Sequence, residues 1–414
     1  MEKIIVKTIV KKANRIDIDF AISEGLKQYF LPEHHFFAEY SQSIEGVPDS
    51  IAVIPLLVNL LPFSWITDSF VWADRVDLDF YHAVPDIMRG LSQIHKDDFN
   101  LRGGFIAARP EANRYEPEER TILLYTGGGD SMATYYRIEE KKPVLLNANG
   151  WYETDIREDE VYDADRALLS AFADRNGLEY CMVRSNFARF IRGDVLDRLI
   201  REKYHSTWWY GFQHSLAFLG CAAVFGYKRR CSYTYISSSD WTDHFTRCVS
   251  DPRVDPMFRC ASMQVVHDGY ELSKRDKIAY LVQKQHKLQE DMPLQVCSFH
   301  AGNCCKCEKC FRTMLQIHML GGDVRKFNFP IEGSLKENTE AFLEENVLEV
   351  LDPTHFDHWR SIWESYEAED PDLPDRELYQ FLKTYPWEQK KKEYLRRYYS
   401  RNFMKILRRK LHLK

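Results

Sequence analysis

Apolar positions near the N-terminus follow two short strand patterns. Residues 4–10 (Ile-Ile-Val-Lys-Thr-Ile-Val) are rich in β-branched side chains, and residues 16–20 (Ile-Asp-Ile-Asp-Phe) alternate strictly, as a half-buried strand does. Residues 51–65 form the most apolar stretch of the chain. Pro55, Asn59, Pro62 and Ser64 interrupt it, and it falls short of the roughly 20 residues of a membrane span, so it is expected to be buried core. Residues 80–94 carry apolar groups at helical spacing. Residues 109–119 are polar with two prolines and read as a linker. From residue 120 the period changes repeatedly. Strands are expected at 121–125, 143–146, 178–183 and 231–236, with helices at 132–140, 163–175, 195–204 and 212–225. Strands alternating with helices of this length predict an α/β fold, a parallel twisted sheet with helices on both faces and its ligand site at the carboxyl ends of the strands. Beyond about residue 330 the pattern is helical and charged. The expected organisation is an N-terminal α+β domain over 1–115, an α/β domain over 116–330 and a helical extension over 331–414.

Composition narrows the class. At 44% hydrophobic and 29% charged residues in 414, the chain is globular and neither collagen-like nor wholly disordered. Its net charge of −6 excludes a generally basic nucleic-acid binder. The balance is uneven: residues 390–414 hold eleven Lys or Arg against the single acid Glu393, a net +10, which leaves −16 for the rest. Leu395, Tyr399, Phe403, Ile406 and Leu407 recur among these cations near helical spacing. The tail therefore reads either as a solvated basic end or as an amphipathic segment for an anionic membrane surface or an acidic partner. No secretory signal is visible at the N-terminus, no transmembrane segment is expected, and a cytoplasmic location is.

Candidate chemistry starts at Thr126-Gly127-Gly128-Gly129-Asp130-Ser131, which follows an apolar strand and precedes a helix. Three glycines allow a tight turn that exposes backbone N–H groups, and the helix N-terminus completes an anion cradle. Thr126 and Ser131 can add hydroxyl donors, and Asp130 can hold a Mg²⁺ ion that accompanies nucleotide phosphates. The alternative is a glycine turn with Asp130 or Ser131 as helix N-cap. In either role Asp130→Asn is expected to leave folding unchanged. The ending lacks the Gly-Lys-[Ser/Thr] of a Walker A loop.

Five of the ten cysteines fall within residues 297–310. Cys297, Cys304, Cys307 and Cys310 are spaced Cys-x6-Cys-x2-Cys-x2-Cys, which suits a closed four-thiolate site for structural Zn²⁺. An iron–sulfur cluster uses the same donors. Lys306, Lys309 and Arg312 would offset the charge, and Cys305 is a spare thiol or a substitute for Cys304.

The hexapeptide resembles the Ser-Gly-Gly-x-Asp-Ser signature of the N-type ATP pyrophosphatases, the PP-loop or adenine nucleotide alpha hydrolase-like superfamily. Gly127, Gly128, Asp130 and Ser131 match, and Thr126 replaces Ser. The resemblance implies a Rossmann-like domain whose loop binds the pyrophosphate of ATP, with Asp130 and Ser131 catalytic. It implies adenylation of a carboxylate, carbonyl or amide oxygen with release of pyrophosphate, and then of AMP as a nitrogen or sulfur nucleophile enters. With the cysteine spacing, residues 120–320 look most like 7-cyano-7-deazaguanine synthase-like proteins. On that resemblance Ser239 and Asp240 fall in a substrate loop, and Lys277 lies at a helix start that contacts substrate or phosphate. Ser273 with Asp276 is equally a capping box. About 120 residues precede the loop and about 100 follow the cysteines, unlike the compact synthase, which implies a different or larger acceptor, a small molecule or a conjugate. The expected outcome is that of a ligase or amidotransferase; thiolation, epimerisation of the activated substrate and a nucleotide-sensing module without catalysis are the other readings.

Of the remaining residues, His214 on the apolar helix reads as packed or as a base, His267-Asp268-Gly269 as a turn, and Trp208-Trp209-Tyr210 as core or as a hydrophobic staple before the helix.

Overall fold

The computed structural model describes residues 2–95, 102–150, 159–297, 302–364 and 375–397. The chain divides into two compact units, Met1–Lys277 and Ile278–Lys414.

The first unit opens with β1 (Lys3–Lys11), β2 (Arg15–Ile22) and β3 (His35–Tyr40), followed by α1 (Asp49–Ala52), α2 (Ile54–Thr67), β4 (Phe70–Asp77), α3 (Leu78–His95) and β5 (Gly104–Glu111). It continues through β6 (Glu118–Leu124), α4 (Gly129–Arg137), β7 (Val144–Asn149), α5 (Asp159–Asn176), β8 (Tyr180–Ser185), α6 (Gly193–Tyr204), α7 (His214–Lys228), β9 (Cys231–Ser237), β10 (Arg259–Cys260) and β11 (Met263–Asp268). The last helix to begin in it is α8 (Lys274–Leu288).

All eleven strands share one sheet in the order β10-β11-β9-β6-β7-β8-β3-β2-β1-β4-β5. The five strands β11, β9, β6, β7 and β8 are mutually parallel, the Rossmann-like arrangement that the alternation of elements predicts. The N-terminal strands extend this sheet. β3 pairs antiparallel with β8 through Ala38↔Ser185, so the sheet runs on across residue 115. One core joins the two halves: Ile4, Ile16 and Ile18 belong to the same buried cluster as Ile122, Val144 and Val183. The apolar stretch at 51–65 spans the end of α1 and most of α2, which is buried against α7.

Alternation along the central strands explains two covered faces. Ile122, Val144, Leu146 and Val183 point to the α2/α7 side. Leu123, Leu145 and Met182, equally buried but outside that cluster, point to the other face, where α4 and α5 pack.

The polar stretch at 109–119 is no free linker. Arg109–Glu111 finish β5, an edge strand on which Pro110 costs no ladder bond. Tyr115 is tied down at both ends, its N–H donating to Ser262 Oγ at 3.0 Å and its hydroxyl to the Cys231 carbonyl at 2.7 Å.

The second unit contains α9 (Glu308–Met319), α10 (Leu335–Val350), α11 (Pro353–Glu364) and α12 (Arg376–Thr384), and a further helix covers 387–397. Among its described residues there is no strand, in line with the helical pattern. Phe342 stacks on Phe311 (ring centroids 4.4 Å apart) and on Trp359 (6.0 Å), which locks α10 and α11 onto α9. No helix among the described residues is long and apolar enough to cross a membrane. Of the amphipathic tail residues, Tyr399, Phe403, Ile406 and Leu407 lie outside the described residues.

Candidate functional site

The glycine loop sits at the carboxyl end of β6, between the strand and α4. Gly127 has φ +76°, a left-handed conformation open mainly to glycine. Gly128 is the helix N-cap, in an extended conformation, so neither Asp130 nor Ser131 caps α4. Ser131 instead braces the loop: its hydroxyl donates to the Gly128 carbonyl at 3.1 Å and accepts from the Thr126 N–H at 3.3 Å. Thr126 Oγ1 accepts from the Gly128 N–H at 3.4 Å. With the hydroxyls committed to loop shape, the groups left that can meet an anion are the first-turn N–H donors of α4, which an α-helix leaves without intrahelical partners.

Asp130 stands in that first turn against two lysines of α8. Lys274 Nζ donates to Asp130 Oδ2, and Lys277 Nζ lies 3.3 Å from Oδ1. Lys277 is buried and also donates to the Ser238 carbonyl at 2.6 Å. Burial pushes the Asp130 pKa up, but the ammonium groups of Lys274 and Lys277 outweigh it and hold the carboxyl down to about 2. The structure thus brings Asp130 and Lys277 together as two elements of one charged cluster. Lys274, not singled out in the sequence, joins them; its signal is the i, i+3 spacing from Lys277 that places both on one helix face. The helix begins with the expected capping box, Ser273 N–H donating to Asp276 Oδ2 at 3.0 Å and Asp276 N–H to Ser273 Oγ at 3.1 Å.

The loop after β9 is placed less simply. Ser239 is exposed, and the preceding residue, Ser238, makes the contact to Lys277. Asp240 is committed within its own loop, accepting from the Thr246 N–H at 3.0 Å and from its hydroxyl at 2.5 Å. His267 and Asp268 end β11 rather than forming a turn; only Gly269, at φ +81°, turns the chain. Asp268 Oδ2 accepts from Thr134 Oγ1 at 2.8 Å and meets Arg137 Nε at 3.2 Å, fixing α4 over the strand ends. At the end of β7, Asn149 donates to Asp165 at 3.0 Å, and burial pushes the Asp165 carboxyl up to about 6.

His214 packs between aromatic rings. It is parallel to Tyr210 and edge-on to Trp209 and Phe218, and burial takes its pKa down to about 4. It follows a π-helical turn, Trp209–Gln213, a device that sequence spacing at 3.6 residues conceals.

The cysteine centre belongs to the second unit. The sulfurs of Cys297, Cys304, Cys307 and Cys310 lie within 4.8 Å of one another, with Cys304 and Cys310 3.9 Å apart. A Zn–S bond of about 2.3 Å in a tetrahedron separates sulfurs by about 3.8 Å, so the four can hold a metal ion such as zinc after closing in by at most about 1 Å. Cys307 is the N-cap of α9 and Cys310 lies in its first turn, where the helix dipole favours thiolate. The Lys306 N–H donates to Cys304 Sγ at 3.4 Å. Hydrogen bonding from the Cys310 thiol lowers the Cys307 pKa and raises that of Cys310 in turn. Cys305 points away, toward the Asn303 carbonyl at 3.7 Å, and is not among the clustered sulfurs.

A residue that spacing did not reveal holds the knuckle together. Buried Asn303 accepts from the Val296 N–H at 3.0 Å and donates to the carbonyls of Leu294 and Asn328, each at 2.9 Å. It joins the segment leading to Cys297 with the one that carries Cys304. Behind the site Glu308, also buried, receives the Trp359 indole N–H at 2.7 Å and Arg312 Nε at 3.0 Å.

A scan of protein-family models and searches of curated proteins and solved structures return no match to this chain.

Proposed function

We propose that the protein is an ATP-dependent, AMP-forming enzyme of PP-loop type, which adenylates a carboxylate or carbonyl oxygen and has a ligase or amidotransferase outcome. The observation that carries the reading is the glycine loop closing on α4 with Asp130, Lys274 and Lys277 converging beside it, at the carboxyl ends of parallel strands. A loop of N–H donors flanked by two ammonium groups suits a pyrophosphate, and Lys274 and Lys277 are placed to neutralise the charge that builds on it as the α–β bond breaks.

Magnesium fits the donor set in a restricted way. One carboxylate with phosphate oxygens and water is a usual Mg²⁺ shell, and Asp130 would supply that carboxylate, whose oxygens are paired here with Lys274 and Lys277. When bound, the ion would screen charge on the phosphates; Asp130 would hold it while the lysines turn to the phosphate oxygens. Zinc fits the closed Cys297/Cys304/Cys307/Cys310 set, which leaves no open position and therefore makes the metal structural. ATP, Mg²⁺ and structural Zn²⁺ are thus the cofactors of the reading, and a small molecule or conjugate is its acceptor. A cytoplasmic setting accords with a reduced thiolate cluster.

The test is ATP–pyrophosphate exchange and AMP formation by the purified protein, with low-molecular-weight cell extract as acceptor source. Exchange that needs the extract and disappears in Lys277→Ala supports adenylation. ATP binding without exchange under every extract would turn the reading to nucleotide sensing.

A further inference from the structure

The glycine loop carries its own counter-ion. Asp130 presents one carboxylate to both lysines of α8, with Lys274 Nζ donating to Oδ2 and Lys277 Nζ 3.3 Å from Oδ1. These are the two ammonium groups that a polyphosphate on the loop needs. A carboxylate oxygen and a phosphate oxygen are alternative acceptors for an ammonium head, which has three N–H donors and no more. The carboxylate also stands in the first turn of α4, where its charge opposes an anion brought to the helix N-terminus.

The two lysines differ in how far they can move. Lys277 is 3% exposed and is pinned by a second bond, to the Ser238 carbonyl at 2.6 Å. Backbone closes on its stem as well: a Cβ placed on Gly269, at φ +81°, would lie 3.3 Å from Lys277 Cε. The side chains of Lys274 and Asp130 are each 25% exposed. Lys277 therefore stays at the site and changes acceptor by turning its head, whereas Lys274 and Asp130 have room to swing.

We propose that Asp130 is a built-in competitor for the phosphate groups of the ligand, which gives up Lys274 and Lys277 when its oxygens turn to a divalent cation, so that the loop binds a polyphosphate together with a cation and binds the polyphosphate alone poorly. This rests on the reading of the loop as a phosphate site. One charge acts in two directions: against the bare anion it repels and withholds the lysines, and across a shared cation it attracts. The coupling is reciprocal, since cation and polyphosphate raise each other's affinity by the same factor. For a protein that consumes ATP, the consequence is selection of the metal complex over the bare nucleotide at the binding step.

Two measurements on the full-length protein test the proposal, with inorganic pyrophosphate as the probe. The first needs no substitution. In protein with ¹⁵N-labelled lysine, the Lys274 and Lys277 ammonium resonances should move when pyrophosphate is added with Mg²⁺ and stay in place when the same concentration is added with EDTA. Equal movement in EDTA overturns the proposal. The second is calorimetric titration of wild type, Asp130→Asn and Glu271→Gln. In EDTA, Asp130→Asn should bind pyrophosphate about 10-fold more tightly than wild type, a usual size for a coupling between sites; in excess Mg²⁺ the order should reverse. Glu271 controls for charge alone. It is near enough to Lys277 to feel its charge, but its carboxylate is paired with Arg137, so Glu271→Gln should change binding in EDTA far less. An Asp130→Asn protein that keeps a cooperative urea transition yet gains nothing in EDTA overturns the proposal, as does a gain of equal size in Glu271→Gln, and either result leaves the phosphate-site reading standing. A wild type that binds neither pyrophosphate nor ATP, with or without Mg²⁺, overturns both.

Discussion

Asp130→Asn separates a surface carboxylate from the anchor of an ion-pair cluster. Taken as a loop residue with a metal or capping role, Asp130 is dispensable for folding, because Asn has nearly its shape and caps helices about as well. The structure requires otherwise. Gly128 is the N-cap, and the Asp130 carboxylate compensates Lys277, which is only 3% exposed, as well as Lys274. The magnitude follows from the carboxyl's pKa, which falls from an ordinary 3.8 to about 2 in the fold. At about 1.4 kcal/mol for each tenfold change in the proton equilibrium, the charge contributes about 2.5 kcal/mol to folding. Leaving Lys277 buried without its counter-charge adds to the cost. The sign is fixed by the direction of the change: a depressed acid stabilises fully above its unfolded pKa, and the contribution disappears as pH falls through the folded value. Asp130→Asn should therefore unfold at lower urea concentration at pH 7, and the gap to wild type should narrow from about pH 4 downward. The double variant Asp130→Asn with Lys277→Met should be more stable than the two single losses added together. Equal urea midpoints for Asp130→Asn and wild type at pH 7, with no coupling in the double variant, would falsify the ion-pair account.

The cysteine centre should carry about one zinc per chain; Cys307→Ser should lose it with much of the solubility, and Cys305→Ser should keep it, whereas stoichiometric iron with visible absorbance would remove zinc from the site. Asn303→Ala should weaken metal retention against a chelator though no ligand changes, because the Val296 and Cys297 N–H groups and the Asn328 carbonyl lose this partner; chelation kinetics equal to wild type would contradict the bracing role. At Asp165 the sign is the reverse of Asp130: with the folded carboxyl pushed up to about 6, stability falls as pH rises from about 4 to 6, so Asp165→Asn should flatten that part of the urea-midpoint profile. Deleting residues 390–414 should leave ATP turnover intact and reduce binding to anionic vesicles in a salt-dependent way; equal vesicle binding by both proteins would end the membrane reading of the tail.

What the sequence determined by itself is local. Strict alternation at 16–20 predicts β2 because one face is buried, and the strand–helix rhythm after 120 predicts β6 through β9 because apolar spacing records which side of each element meets the core. The cysteine knuckle was legible for a similar reason: short steps between thiols bring ligands together with little help from the rest of the chain. Pairing partners are not local. That β3 docks on β8, and so makes one sheet of eleven strands, depends on contacts nearly 150 residues apart, which no window of the sequence contains. β11 was hidden by its polar end, since His267 and Asp268 read as a turn until Asp255 and Thr134 are seen to satisfy them. The glycine loop shows both limits at once. Its glycines announce a tight turn, because glycine adopts the left-handed conformation found at Gly127 at the least cost. The charge state of Asp130 was decided by Lys274 and Lys277, brought from 144 and 147 positions away by the tertiary structure, because electrostatic energy depends on distance in space and on burial, and neither is written in the order of residues.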